Sequence, residues 1–173
     1  GHIFDDLKEY RIEYDVKTSE KALSEKYDLM SVVNILNKNG YTYEKDGATW
    51  FKCSALFDDK DHVLIKEDGN ATYFLPDIAY HMDKINRGFD KMIDIFGADH
   101  HGYVARLKSS VKALGNDPEK LEVKLLQLVR LVSNGEEIKM SKRTGKIVSL
   151  QELIDLVGIN AARYFFVSRS LDT

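Results

Sequence analysis

Residues 92–115 constrain the fold more than any other stretch of this chain. A compact apolar run, 92–96, ends at Gly97-Ala98-Asp99-His100-His101-Gly102. It leads into a segment whose apolar residues Val104, Leu107, Val111 and Leu114 recur at helical spacing before Gly115. Strand, glycine-bounded turn and helix, in that order, make half of a parallel α/β unit. In such sheets ligands gather at the carboxyl ends of the strands, beside helix N-termini, which directs attention to the turn 97–102.

Other elements flank this unit. Upstream, Asp28 is a good N-cap for a helix marked by Leu29, Val32, Val33 and Leu36, with Gly40 where a C-terminal cap belongs. Two strand pairs with turn chemistry follow: 41–45 with 48–53 across Asp46-Gly47, and 62–66 with 71–75 across Asp68-Gly69-Asn70. After Pro76, the residues Ile78, His81, Met82 and Ile85 predict a short helix stopped by Arg87-Gly88. Downstream of Pro118, Leu121, Val123, Leu125, Val129 and Leu131 alternate as a strand does, and Asn134-Gly135 turns the chain. Ser149 and Glu152 form a capping box for a helix built on Leu150, Leu153, Ile154 and Val157 and ended by Gly158. Asn160 is expected to cap a last helix through Phe166.

Length and charge set the outer limits. A chain of 173 residues, 43% hydrophobic, buries one good core with room for a small appendage. Its 25 basic and 28 acidic residues leave a net charge of −3, so any contact with nucleic acid must be local. Cys53 is the single cysteine, which rules out an internal disulfide and fits a reducing compartment. No apolar run reaches the ~20 residues of a membrane span, and residues 1–10 lack the apolar stretch of a signal peptide. The expected location is the cytoplasm. Gly1-His2 reads as a cloning remnant on a segment of a longer native chain.

Three groups carry chemistry. Residues 139–146, KMSKRTGK, place four cations in eight positions with a Thr-Gly that permits a sharp turn. Composition alone reads this as a solvated basic loop or a generic RNA-contacting patch, while the arrangement suits a loop that meets a polyphosphate through lysine point charges. Asp99-His100-His101, taken alone, suits the metal pair of a manganese-dependent phosphoesterase. That chemistry needs further aspartates in separate acidic motifs, and Asp58, Asp59 and Asp61 do not stand in such a setting. No metal ligands are expected, and a nucleotide-contacting turn is the better reading. The third group, Thr72-Tyr73-Phe74-Leu75-Pro76-Asp77-Ile78-Ala79-Tyr80-His81, is by itself a strand-to-helix corner in which Asp77 caps the helix.

The order of residues decides among these readings. Lys139-Met140-Ser141-Lys142-Arg143 matches the signature loop of class I aminoacyl-tRNA synthetases. Residues 72–103 closely resemble the catalytic domain of arginyl-tRNA synthetase, as do Asp46-Gly47-Ala48, Trp50-Phe51, 61–66 and the stretch from 129 to Arg163-Tyr164-Phe165-Phe166. The resemblance covers nearly the whole chain, with 1–25 the least diagnostic part. It implies an α/β fold, the second half of a Rossmann-like parallel nucleotide-binding fold with a small β-rich insertion. The chain would be one partial catalytic domain, 1–75 forming a helix and β-rich flank and 76–173 the nucleotide-binding half.

The resemblance also implies a reaction in two steps: arginine and ATP give arginyl-adenylate and pyrophosphate, and the arginyl group then passes to tRNA(Arg). By motif, Tyr73 and Asp77 receive the arginine side chain, and His101 is a further contact near it. Gly97, Asp99 and His100 pack against the adenosine. Lys139, Met140, Ser141, Lys142 and Arg143 form the ATP loop, in which Lys139 and Lys142 act on the triphosphate. Mg2+ would accompany the ATP phosphates. Arginine, ATP and tRNA(Arg) are the expected partners, with no membrane and a monomeric parent enzyme. The sequence departs from the family in lacking a His-Ile-Gly-His motif, of which Gly1-His2-Ile3-Phe4 is not a form, and a helical anticodon-binding domain. The expectation is a part of an arginine–tRNA ligase, inactive by itself. Two other readings remain: a natural truncated paralogue that binds arginine, a nucleotide or RNA without catalysis, and a module for the tRNA acceptor stem relying on the basic loop.

Overall fold

A computed structural model describes residues 2–127, 132–133, 136–137, 149–168 and 170. The chain divides into two compact units, Thr18–Leu125 and a second made of Gly1–Lys17 with Leu126–Thr173. In the first unit, α2 (Glu20–Lys26) and α3 (Leu29–Lys38) precede the strands. The Asp28 carboxylate accepts from Met30 N at 3.1 Å, capping α3, and the helix buries Val32, Val33 and Leu36. Its end is a Schellman pair, with Gly40 N donating to Asn37 O at 2.9 Å and Tyr41 N to Leu36 O at 3.0 Å.

Strands β1 (Thr42–Lys45), β2 (Ala48–Phe51) and β3 (His62–Ile65) form one antiparallel sheet in that order. The β1–β2 turn has Asp46 at φ 53° and Gly47 at φ 70°, the two left-handed positions that a tight hairpin matching strand twist requires. Instead of a second hairpin, β3 meets residue 71 in a single bridge, Ile65 with Ala71. The expected strand over 71–75 is not formed. Helix α4 (Phe74–Asn86) begins there, two residues ahead of Pro76. Proline is tolerated in a first turn because the missing N–H has no intrahelical partner, and starting early lets α4 bury Phe74 and Leu75 with Ile78 and Ala79.

The anticipated α/β unit is present. Strand β4 (Met92–Gly97) leads through the turn to α5 (Tyr103–Ala113) and on to β5 (Leu121–Leu126), which pairs with β4 in parallel. Leu107 and Val111 of α5 are fully buried, as their spacing predicts. The three helices α3, α4 and α5 share one core with Phe51, Leu64, Met92 and Leu121. Each such side chain contributes about 1.5–3 kcal/mol on burial.

The second unit contains α1 (His2–Glu9), β6 (Val132–Ser133), β7 (Glu136–Glu137), α6 (Leu150–Val157) and α7 (Ile159–Val167). Sequence reading identified neither α1 nor α2. The pair β6–β7 is antiparallel; the turn expected at Asn134-Gly135 lies outside the described residues. The capping box of α6 is formed on both sides, Ser149 Oγ accepting from Glu152 N at 3.1 Å and Glu152 Oε2 accepting from Ser149 N at 2.6 Å. Asn160 does not cap α7. The cap is Gly158, and Asn160 lies inside the helix, where its side-chain oxygen accepts from Arg11 at 3.1 Å. Among the described residues of this unit, Tyr10, Ile154 and Ala162 form a small core, with the Tyr10 hydroxyl donating to Leu150 O at 3.0 Å.

Candidate active site

The first turn of α4 brings Tyr73 and Asp77 to one cleft of about 360 Å³, lined also by Thr18, Glu20, Leu23, Pro76 and Tyr80. The four-residue spacing does this, because positions i and i+4 share a helix face. Tyr73 is 88% exposed at the lip of the cleft. Asp77 is held from behind. The Tyr103 hydroxyl, on the first residue of α5, donates to Asp77 Oδ2 at 2.5 Å, and the Asp77 carbonyl oxygen accepts from His81 Nδ1 at 2.8 Å.

His81 continues the chain of bonds into the core. Its Nε2 donates to Asp94 Oδ2 at 2.7 Å, and Asp94 Oδ1 accepts from Lys84 Nζ at 2.5 Å. His81 and Asp94 are 3% and 7% exposed, so this is a buried ionic tie between α4 and β4. Burial pulls the Asp94 carboxyl up. The hydrogen bond and charge of His81, then those of Lys84, outweigh it and leave Asp94 below the usual carboxylate range. The alternation of β4 explains the placement: Met92 and Asp94 point into the core, while Ile93 and Ile95 stand on the opposite, exposed face.

β4 delivers the glycine turn. A Cβ at Gly97 would meet only Asp99 Oδ1, at 2.6 Å, the end of an exposed side chain that can swing aside. Ala98, Asp99 and His100 form one 3-10 turn, in which Asp99 and His100 are exposed and 3.7 Å apart as a pair, and the His100 ring lies against Phe96. His101 is exposed at the end of the turn and does not line the cleft of Asp77. Lys139, Met140, Ser141, Lys142 and Arg143 lie outside the described residues.

Among the described residues the one group with metal-ligand character is Cys53, Asp58 and His62, whose ligand atoms lie within 4.8 Å of one another. Asp99, His100 and His101 form no such group there. His62 Nε2 and Asp58 Oδ2 are already hydrogen-bonded at 2.8 Å, and the Arg106 guanidinium stands 3.9 Å from the same carboxylate oxygen. Burial, followed by the Asp58 charge, pushes the Cys53 thiol up. A protonated thiol, an occupied carboxylate and an adjacent cation do not suit Mg2+, which takes oxygen ligands. Asp61 is likewise in use, accepting from Ser54 N, Ser54 Oγ and the Tyr43 hydroxyl.

A parallel strand–turn–helix–strand unit with an acidic cleft beside the turn is the setting of a class I synthetase catalytic domain. The family described as tRNA synthetases class I (R), catalytic domain, matches residues 2–165, and the chain belongs to it. It is 56% identical over 168 residues to the arginine–tRNA ligase of Geobacillus kaustophilus, covering 97% of this chain and 30% of that protein. The arginine–tRNA ligase of Bacillus licheniformis is 54% identical over 173 residues, 100% of this chain and 31% of the relative. A Campylobacter jejuni crystal structure assigned as an arginyl-tRNA synthetase superposes with TM-score 0.89 at 39% identity, over 98% of this chain and 36% of that one. The Thermus thermophilus arginyl-tRNA synthetase, at TM-score 0.65 and 15% identity over 72% of this chain and 28% of that one, shares the fold. The chain thus spans about 30% of the length of the curated relatives it matches.

The motif reading named Tyr73 and Asp77. It missed Tyr103, Tyr80 and Glu20 as members or supports of the same cleft. Tyr103 stood within the quoted Gly-Tyr that ends the turn, but nothing in its spacing announces a bond across 26 residues to Asp77.

Proposed function

We propose that this chain is part of an arginine–tRNA ligase that activates arginine with ATP, forming arginyl-adenylate and pyrophosphate, and then charges tRNA(Arg). The observation that carries this reading is the cleft in which Tyr73 and Asp77 meet. A guanidinium is a planar fork of donors, for which a carboxylate and a phenolic oxygen are fitting acceptors. Lysine offers only a compact ammonium and leaves such acceptors unmatched, which supports selection against it. His101 serves the substrate from the end of the turn, and Gly97, Asp99 and His100 present the turn to the adenosine.

ATP enters as its magnesium complex, the metal being a companion of the substrate. The arginine carboxylate attacks the α-phosphorus, and negative charge builds on the departing pyrophosphate. Lys139 and Lys142, carried by Met140, Ser141 and Arg143 in the KMSKR loop, stabilise that charge more in the transition state than in the ground state. The parent enzyme acts in the cytoplasm as a monomer. The 173-residue chain alone is inactive in both steps, because no part of it matches the His-Ile-Gly-His half of the site.

Arginine-dependent ATP–pyrophosphate exchange by the intact enzyme tests the reading. Asp77→Ala is expected to raise KM for arginine far more than KM for ATP, and equal loss of both would overturn the assignment. In the same assay Lys142→Ala is expected to slow adenylate formation by ~10²–10³, the effect of losing one preorganised oxyanion contact. A rate within a fewfold of normal would remove Lys142 from the mechanism.

A further inference from the structure

We propose that Tyr103 is a positioning residue for substrate selection, its hydroxyl locking the Asp77 carboxylate in the orientation that receives the guanidinium. The inference rests on the reading of Asp77 as the guanidinium acceptor. The hydroxyl donates to Asp77 Oδ2 at 2.5 Å, and among the described residues no donor reaches Oδ1. A carboxylate so engaged cannot turn about its Cβ–Cγ bond without breaking the hydrogen bond. It therefore presents a constant edge to the cleft, which is the requirement for pairing with a planar fork of N–H groups.

Tyr103 is itself immobilised. Its ring meets Phe74 edge-on at 5.9 Å and Phe96 edge-on at 6.4 Å between centroids, and the Arg106 guanidinium lies 4.9 Å from the ring centre. The phenol thus has aromatic neighbours from α4 and β4 and a cation from its own helix. A site residue works when its supports are locked by packing, and this arrangement supplies that support.

The chemical type of the support matters. A lysine or arginine in place of Tyr103 would orient Asp77 but would also neutralise it and compete with the incoming guanidinium. A neutral phenol orients the carboxylate and leaves its charge for the substrate. Burial, reinforced by the Asp77 hydrogen bond and charge, pushes the Tyr103 phenol up, so it remains a protonated donor over the working pH range.

The test is Tyr103→Phe in the intact enzyme, which removes one oxygen and keeps the ring packing. In ATP–pyrophosphate exchange, KM for arginine is expected to rise by roughly 10- to 100-fold, the range for a lost hydrogen bond to a charged group, with KM for ATP and the maximal rate within about twofold. In an Asp77→Ala background the same change is expected to add almost nothing, because the two residues act as one unit. An unchanged arginine KM would overturn the proposal, and so would arginine and ATP constants that rise together, the pattern of a merely structural role. The two readings fail separately. If Asp77→Ala leaves arginine binding intact, the assignment of Asp77 falls; if Asp77→Ala impairs it and Tyr103→Phe does not, only the role of Tyr103 falls.

Discussion

Asp94 makes the first unit sensitive to acid. Its carboxylate, buried between His81 and Lys84, is held below the usual carboxylate range, whereas in the unfolded chain it titrates near the ordinary value of about 3.9. A depressed folded value means that the unfolded state binds more protons between the two values. The contribution is therefore present above about pH 4 and lost as pH falls through the lower, folded value. Asp94→Asn is expected to cost about 3 kcal/mol at pH 7, because His81 and Lys84 lose their buried carboxylate partner. Urea midpoints at pH 7 and pH 3 check this. The variant should lose less stability on acidification than the parent, while Asp58, Asp61 and Asp83, also depressed, keep some acid dependence. A variant with the parent's pH slope would show that Asp94 is not the linked group. At this scale the sequence exposed Asp77 through its motif but hid Asp94, which sits in an apolar strand and reads as an interruption of it.

Among elements, α6 is set by local chemistry. Both halves of its capping box are made between residues three apart, and Ser149→Ala removes the hydroxyl oxygen that accepts from Glu152 N. The expected cost is about 1 kcal/mol, typical of losing an N-cap side chain. Faster amide hydrogen exchange in the first turn of α6, with α3 unaffected, is the readout, and unchanged exchange there would contradict it. Local signals of this kind also located α3, the β1–β2 hairpin, β4 and α5. They failed at residues 71–75, where strand-like residues before a proline predicted a hairpin arm. Burial of Phe74 and Leu75 against the core outweighed that preference, and the proline fits a helical first turn. They failed again for α1 and for α2, a short helix that buries Leu23 in a core shared with the distant α4.

Over the whole molecule the division into units follows from which segments share a core. Residues 18–125 surround one large cluster, whereas in the other unit the buried cluster among the described residues is Tyr10, Ile154 and Ala162, from opposite ends of the sequence. Its ties are also long-range: the Tyr10 hydroxyl to Leu150 O, Arg11 to Asn160, and the Arg163 guanidinium to the Tyr10 carbonyl. Tyr10→Ala is expected to destabilise this unit by about 3–5 kcal/mol, the range for removing a buried aromatic. Hydrogen exchange should accelerate across α6 and α7 and stay unchanged in α3, α4 and α5. Uniform acceleration through both units would refute the separation.

By itself the sequence determined the family and the parallel strand–turn–helix unit, and it named Tyr73 and Asp77, which the fold brings to one cleft, because motif order, glycine placement and apolar periodicity act over a few neighbouring positions. The tertiary structure decided the rest: where α4 starts, which residues tie to Tyr10 and Arg11, and how Asp77 is held. A hydrogen bond from Tyr103 to Asp77, or a buried tie from His81 to Asp94, depends on two elements meeting at a particular height and rotation. That meeting is settled by packing the shared core, and no local pattern records it.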